Sequence, residues 1–142
     1  MRVVIDTNVL VSGLLNPHGA PGRVVDLVAE GSLTPLFDDR IVDEWRSVLR
    51  RPKLQLPRAL SDGVLDLWIA LGEPTTAPPI DIELRDAADL PFLEVAVAAR
   101  ADALVTGNLK DFRSAIGRVE VPIVGPSEFV RRWRTGLPPG SD

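Results

Sequence analysis

The chain has 142 residues, 16 Lys and Arg against 20 Asp and Glu, one His and no Cys, which makes a single domain with one core the expectation. Without cysteine there is no disulfide framework, thiolate zinc site, iron–sulfur cluster or Cys nucleophile, and one histidine excludes paired-imidazole chemistry, so any reaction must rest on carboxylates, hydroxyls and amides. No apolar run reaches the ~18 residues that span a bilayer and the N-terminus lacks a long apolar signal region, which predicts a soluble, cytoplasmic protein, and the net charge of −4 argues at first sight against a nucleic-acid partner.

Arg2 to Ile5 is a short β-branched run cut off by Asp6-Thr7-Asn8, the signature of a strand buried on both faces of a parallel sheet. Val9, Leu10, Gly13 and Leu14 continue at helical spacing until Asn16-Pro17. Pro21 to Glu30 reads as an amphipathic helix closed by Gly31. Leu33 to Phe37 is a second strand candidate, weakened by Pro35. Asp38 and Asp39 offer an N-cap for a helix to about Arg51, stopped by Pro52. Residues 61–72 give another helix with Ser61 as its cap, and 73–79 a Pro/Thr-rich loop with room for a short strand. Asp86 to Arg100 is helical, with Pro91 in the first turn. Ala103 to Thr106 and Val121 to Val124 are further strands, and Pro126 to Arg134 a last helix. Residues 1–135 thus form the domain, and 136–142 a disordered tail.

Short strands alternating with helices imply an α/β fold with an open parallel sheet covered on both faces, whose site lies beyond the carboxyl ends of the strands. Two strands end there in polar clusters, Asp6-Thr7-Asn8 and Thr106-Gly107-Asn108. Acids at Asp6, Glu44, Asp86, Asp89 and Asp111 would converge on that edge. Each also admits a plain structural role: Asp6 as a helix cap, Glu44 as a solvated charge, Asp86 and Asp89 as a capping pair, Asp111 as a turn residue. Together they would repel one another unless a cation sat between them. Ligation by carboxylates alone selects a hard ion, Mg²⁺ or Mn²⁺, which suits phosphoryl transfer.

The ordered motifs Val-Val-Ile-Asp6-Thr7-Asn8-Val-Leu-Val-Ser, Asp43-Glu44 with Val48-Leu49, Asp86-Ala-Ala-Asp89-Leu-Pro-Phe92, and Leu-Val-Thr106-Gly107-Asn108-Leu-Lys-Asp111-Phe112 resemble those of the PIN domain family. They are most similar to its branch of toxin components of bacterial toxin–antitoxin systems, related to VapC. The resemblance covers residues 3 to about 130. It implies a three-layer α/β/α fold around a central parallel sheet and a Mg²⁺- or Mn²⁺-dependent ribonuclease, with an antitoxin protein and a homodimer as partners. By position Asp6, Glu44 and Asp89 match the family's acids, Asp86 an additional acid of this branch, and Asn8 and Thr106 polar residues lining the pocket. Asn108 stands where many members carry a fourth acid, with Asp111 three residues later.

Arg46, Arg50, Arg51, Lys53 and Arg58 lie in a stretch without an acid. They are candidates for phosphate contacts, with solvated surface or antitoxin binding as the alternatives. Arg113, Arg118, Arg131, Arg132 and Arg134 form a looser basic group. His18 reads as a surface residue, and Trp45, Trp68 and Trp133 as core or interface. With the five candidate acids set aside, the remaining acids and bases nearly balance, so the negative charge does not exclude RNA. The competing readings are a flap-type DNA nuclease, a carboxylate-dependent phosphatase, a phosphoacceptor receiver domain and a catalytically idle PIN-like binding module.

Overall fold

The computed structural model describes residues 1–138. Five strands, β1 (Arg2–Ile5), β2 (Thr34–Phe37), β3 (Glu73–Pro74), β4 (Ala103–Val105) and β5 (Ile123–Val124), form one sheet in the order β3-β2-β1-β4-β5. Every pairing is parallel, with Val3 opposite Pro35 on one side and Ala103 on the other. Val3, Val4 and Ile5 are all fully buried, which is why β1 carries no polar alternation.

The helices are α1 (Thr7–Leu15), α2 (Ala20–Ala29), α3 (Asp39–Leu49), α4 (Arg58–Leu71), α5 (Leu90–Ala99) and α6 (Pro126–Thr135). The chain steps outward from β1 to β3 through α1 to α4, then crosses back to β4 through α5. Right-handed crossovers in opposite directions put these helices on opposite faces. In keeping with that, α2 touches α1, α4 and α6, whereas α5 packs across β1, β2 and β4. The result is the expected α/β fold of three layers. The connections diverge between β1 and β4, and the carboxyl end of that pair is where a parallel sheet opens a crevice.

The strand across Pro35 is borne out, and two local readings need correction. Pro35 does sit inside a strand with neighbours on both sides. Phe37, of the same parity as Pro35, gives its carbonyl to Thr75 N, so the missing N–H of Pro35 faces β3, and β3 begins pairing only at Leu36. Ser61 is not a cap: α4 starts one turn earlier, with Pro57 at the N-cap position, and Ser61 N donates to Pro57 O. Asp86 opens a 3-10 turn over Ala87–Asp89 rather than the α-helix itself, its Oδ1 accepting from Ala88 N at 2.9 Å. Of the predicted tail, α6 reaches Thr135 and Gly136 closes it at φ 70°; residues 139–142 lie outside the described residues.

The core gathers the sheet and the inner helix faces, with Trp45 and Trp68 both buried and packed edge to face at 5.3 Å. Trp133 packs partly buried against it. Of the three tryptophans predicted as core or interface, Trp45 and Trp68 are therefore core. Among the described residues no helix is long and apolar enough to cross a membrane.

Candidate active site

Asp6 follows β1 directly and occupies the N-cap position of α1 without closing a side-chain cap bond. Its backbone N–H still continues the sheet, donating to Val105 O at 2.9 Å, which fixes it over the β1–β4 crevice. Thr106, fully buried, donates from Oγ1 to Asp6 Oδ2 at 2.7 Å, and Asn8 Nδ2 donates to the same oxygen at 3.2 Å. Asn8 Oδ1 in turn accepts from Gly107 N, and Thr106 Oγ1 accepts from Asn108 N, both at 3.0 Å. A Cβ on Gly107 would lie 3.2 Å from Asn8 Oδ1, so the turn has little room for a side chain there. The polar ends of β1 and β4 are thus one network with the Asp6 carboxylate at its centre.

Glu44 comes from α3. Ile41, Trp45 and Leu49 bury the inner stripe of that helix, and Glu44 and Val48 run beside it at helical spacing. The hydroxyl of Thr7, on α1, donates to Glu44 Oε2 at 2.5 Å. A cavity of ≈ 370 Å³ opens between these elements, lined among others by Asp6, Asn8, Glu44, Asp89, Arg51 and Lys53. Lys53, a predicted phosphate contact, belongs to it, as do Thr7 and Ser12, which the sequence did not single out as pocket residues. Thr7 went unnoticed because a threonine after an aspartate at a helix start reads as part of a cap.

The electrostatics of the cavity are unfavourable as it stands. Burial pushes the Asp6 carboxyl above its ordinary value; the Thr106 hydrogen bond works against that and the Glu44 charge with it. Asp89, half-buried at the end of the 3-10 turn, is pushed up to about 7, first by burial and then by the charges of Asp6, Asp86, Asp111 and Glu44. The other four predicted acids therefore all act on the Asp89 carboxyl. Among the described residues no basic side chain forms an ion pair with Asp6, Glu44, Asp86 or Asp89, and Asp111 has only Arg85 at 3.9 Å.

An unpaired set of oxygen donors of this kind fits a hard divalent cation in its chemistry, since neutralisation is what the cluster lacks. Among the described residues no three acids stand close enough to share one ion as they are placed. Of the remaining predicted residues, Asn108 contributes its backbone amide to the network. Arg46 pairs with Asp43 at 3.7 Å on α3, and Arg50 lines a neighbouring cavity rather than this one. In the looser basic group Arg132 is buried, and it shares Glu128 with Arg131, so the group is not a continuous basic surface. His18 lies exposed in the loop after α1, in a different groove.

With sheet order, crevice and acids in place, the class follows: the chain belongs to the PIN domain family, whose model matches residues 2–110. Among individual relatives, Uncharacterized protein MJ1680 of Methanocaldococcus jannaschii is 28% identical over 144 residues, covering 94% of this chain and 92% of that one. A chain of VapBC2 from Rickettsia felis, solved bound to a DNA fragment from their promoter, superposes with a TM-score of 0.53 at 19% identity. The match covers 88% of this chain and 98% of that chain, and at such identity it speaks for the fold.

Proposed function

We propose that this protein is a divalent-metal-dependent ribonuclease that hydrolyses RNA phosphodiester bonds, the toxin of a toxin–antitoxin pair. The observation that carries the reading is the convergence of Asp6, Glu44 and Asp89 on one cavity beyond β1 and β4 with no basic partner among the described residues, where burial and the neighbouring charges push Asp89 up to about 7. Asp6, Glu44 and Asp89, with Asp86 at the rim, would hold Mg²⁺ or Mn²⁺, and Asp111 stands in for the charge that Asn108 lacks. When bound, the ion activates water and neutralises charge on the phosphate.

The chain's own part is positional. Thr106 and Asn8 fix one oxygen of Asp6, and Thr7 fixes one of Glu44, as outer-shell partners do in metal sites. Arg51 and Lys53 supply positive charge for the substrate's phosphates on the cavity wall, with Arg50 and Arg46 further along the same basic segment. Water, not a ribose hydroxyl, is the nucleophile, so products carry 5′-phosphate and 3′-hydroxyl ends.

The VapBC2 likeness supports an antitoxin partner, and the exposed Leu60, Leu67 and Leu71 on α4 offer an apolar surface for it or for a homodimer. Cleavage of total and transfer RNA with Mn²⁺, with and without EDTA, tests the reading. Asp6→Asn is expected to abolish cleavage with the fold intact. A 2′,3′-cyclic phosphate product, or cleavage that survives Asp6→Asn, overturns it.

A further inference from the structure

Between the end of α3 and the start of α4 lies a second, smaller cavity of ≈ 240 Å³, with Arg50, Arg51, Gln55, Arg58 and Ser61 on its walls. Three guanidiniums there meet one nearby carboxylate. Asp62 pairs with Arg50 at 3.5 Å and with Arg58 at 3.3 Å, which holds both arginines in place, while Arg51 forms no ion pair among the described residues. Ser61 is 1% exposed, and its Oγ has no hydrogen-bond partner.

That hydroxyl is costly in place. A buried polar group is nearly always satisfied, and an orphan calls for a ligand, a water or a chemical role to explain it. Alanine at the same helical position would fold better. α4 also begins at this cavity without a side-chain cap, so its first amides and the positive end of its dipole add to the arginines. Three arginines and the first amides of α4 outweigh the single carboxylate of Asp62 here, and the ligand such a wall accepts is an oxyanion. Arginine forks match phosphate geometry better than any single-point cation.

Arg51 lines both this cavity and the acidic one, so the two are neighbours. An RNA strand laid over a cluster of carboxylates needs counter-charge close by. We propose that the Arg50–Arg51–Arg58–Ser61 cavity is a phosphate subsite that holds a second phosphodiester of the strand whose scissile bond lies over Asp6, Glu44 and Asp89. The assignment to RNA rests on the ribonuclease reading; the anion site itself does not.

The test uses the full-length protein, ¹⁵N-labelled, in EDTA so that no cleavage intervenes. It is titrated with inorganic phosphate and separately with a short single-stranded oligoribonucleotide. Both are expected to give saturable shifts at the amides of residues 56 and 58–61 and at the side-chain N–H signals of Arg50, Arg51 and Arg58. Ser61→Ala should weaken phosphate binding by about tenfold, the loss of one charge-assisted hydrogen bond, with a thermal midpoint equal to or above that of the parent.

A hydroxyl satisfied by a buried water gives the opposite pair of results, a lower midpoint and unchanged phosphate binding, and overturns the proposal. So does a parent protein without saturable shifts. Shifts with inorganic phosphate but none at these amides with the oligoribonucleotide overturn the assignment to an RNA strand. If phosphate and the oligoribonucleotide both bind here while Mn²⁺ supports no RNA cleavage, the subsite stands and the ribonuclease reading alone falls.

Discussion

Replacing Asp89 by Asn should make the metal-free protein more stable at neutral pH, although it removes a proposed ligand. In the folded chain Asp89 holds its proton up to about 7, against 3.8 as its ordinary value. Between those limits the native state binds a proton that the unfolded chain has lost. Stability is therefore greatest near pH 4 and falls as the pH rises toward 7. A gap of about three pH units at 1.36 kcal/mol each sets an upper bound near 4 kcal/mol. The carboxyl is only half-buried, and solvent screening reduces this to about 1–2 kcal/mol.

Asn cannot ionise, and Asp89 makes no side-chain cap hydrogen bond that the change would break. At pH 8 in EDTA the variant should melt roughly 3–8 °C above the parent, and near pH 4 the two should coincide. A smaller slope shared by both would remain from Asp6, whose carboxyl is also pushed up. Added Mn²⁺ should raise the parent's midpoint more than the variant's. Thermal melts by circular dichroism from pH 4 to 8 decide the matter: parallel curves, or a variant less stable than the parent at pH 8, would refute the claim of unrelieved repulsion at Asp89.

Thr106→Val removes the 2.7 Å donor to Asp6 and leaves Asn108 N without its acceptor; Mn²⁺ affinity by calorimetry should fall about 10–100-fold and stability by about 1–3 kcal/mol. Neutralising Arg51 and Lys53 together should flatten the salt dependence of single-stranded RNA binding, with the log–log slope shallower by about 1.4, read by anisotropy in EDTA. Trp45→Ala empties a fully buried site against Phe37 and Trp68 and should cost about 3–5 kcal/mol in urea unfolding.

The architecture was legible wherever burial wrote itself into the sequence. Val3 to Ile5 and Ala103 to Val105 are apolar because both faces of a central parallel strand are covered, and the abrupt change at Asp6 and Thr106 marks the edge where the sheet ends. Single-residue punctuation was less informative. Pro35 is compatible with its strand only because β3 starts one residue too late to need its N–H, a matter of register that local sequence does not carry. Ser61 resembles a cap by type, but Pro57 already provides the fixed φ that starts α4.

Among site residues, the acids could be ordered along the chain without the structure. The partners that orient them could not, because Thr7 meets Glu44 across 37 positions. Nor did the charge run from Arg46 to Arg58 reveal that a break after α3 splits it. Lys53 lines the acidic cavity, Arg50 and Arg58 the neighbouring one and Arg51 both, while Arg46 remains on α3 beside Asp43.

The bond between Thr106 and Asp6 spans 100 positions of chain. β1 leads the strands in chain order and sits in the middle of the sheet, yet its second neighbour, β4, follows only after β2 and β3. Until then Asp6 lacks both the strand beside it and the hydroxyl that aims it. A nascent or truncated chain ending before Thr106 carries four of the five acids without the geometry to use them. The proposed nuclease therefore stays inert until its sheet closes, and its activity would mark the completion of folding as much as the presence of the chain.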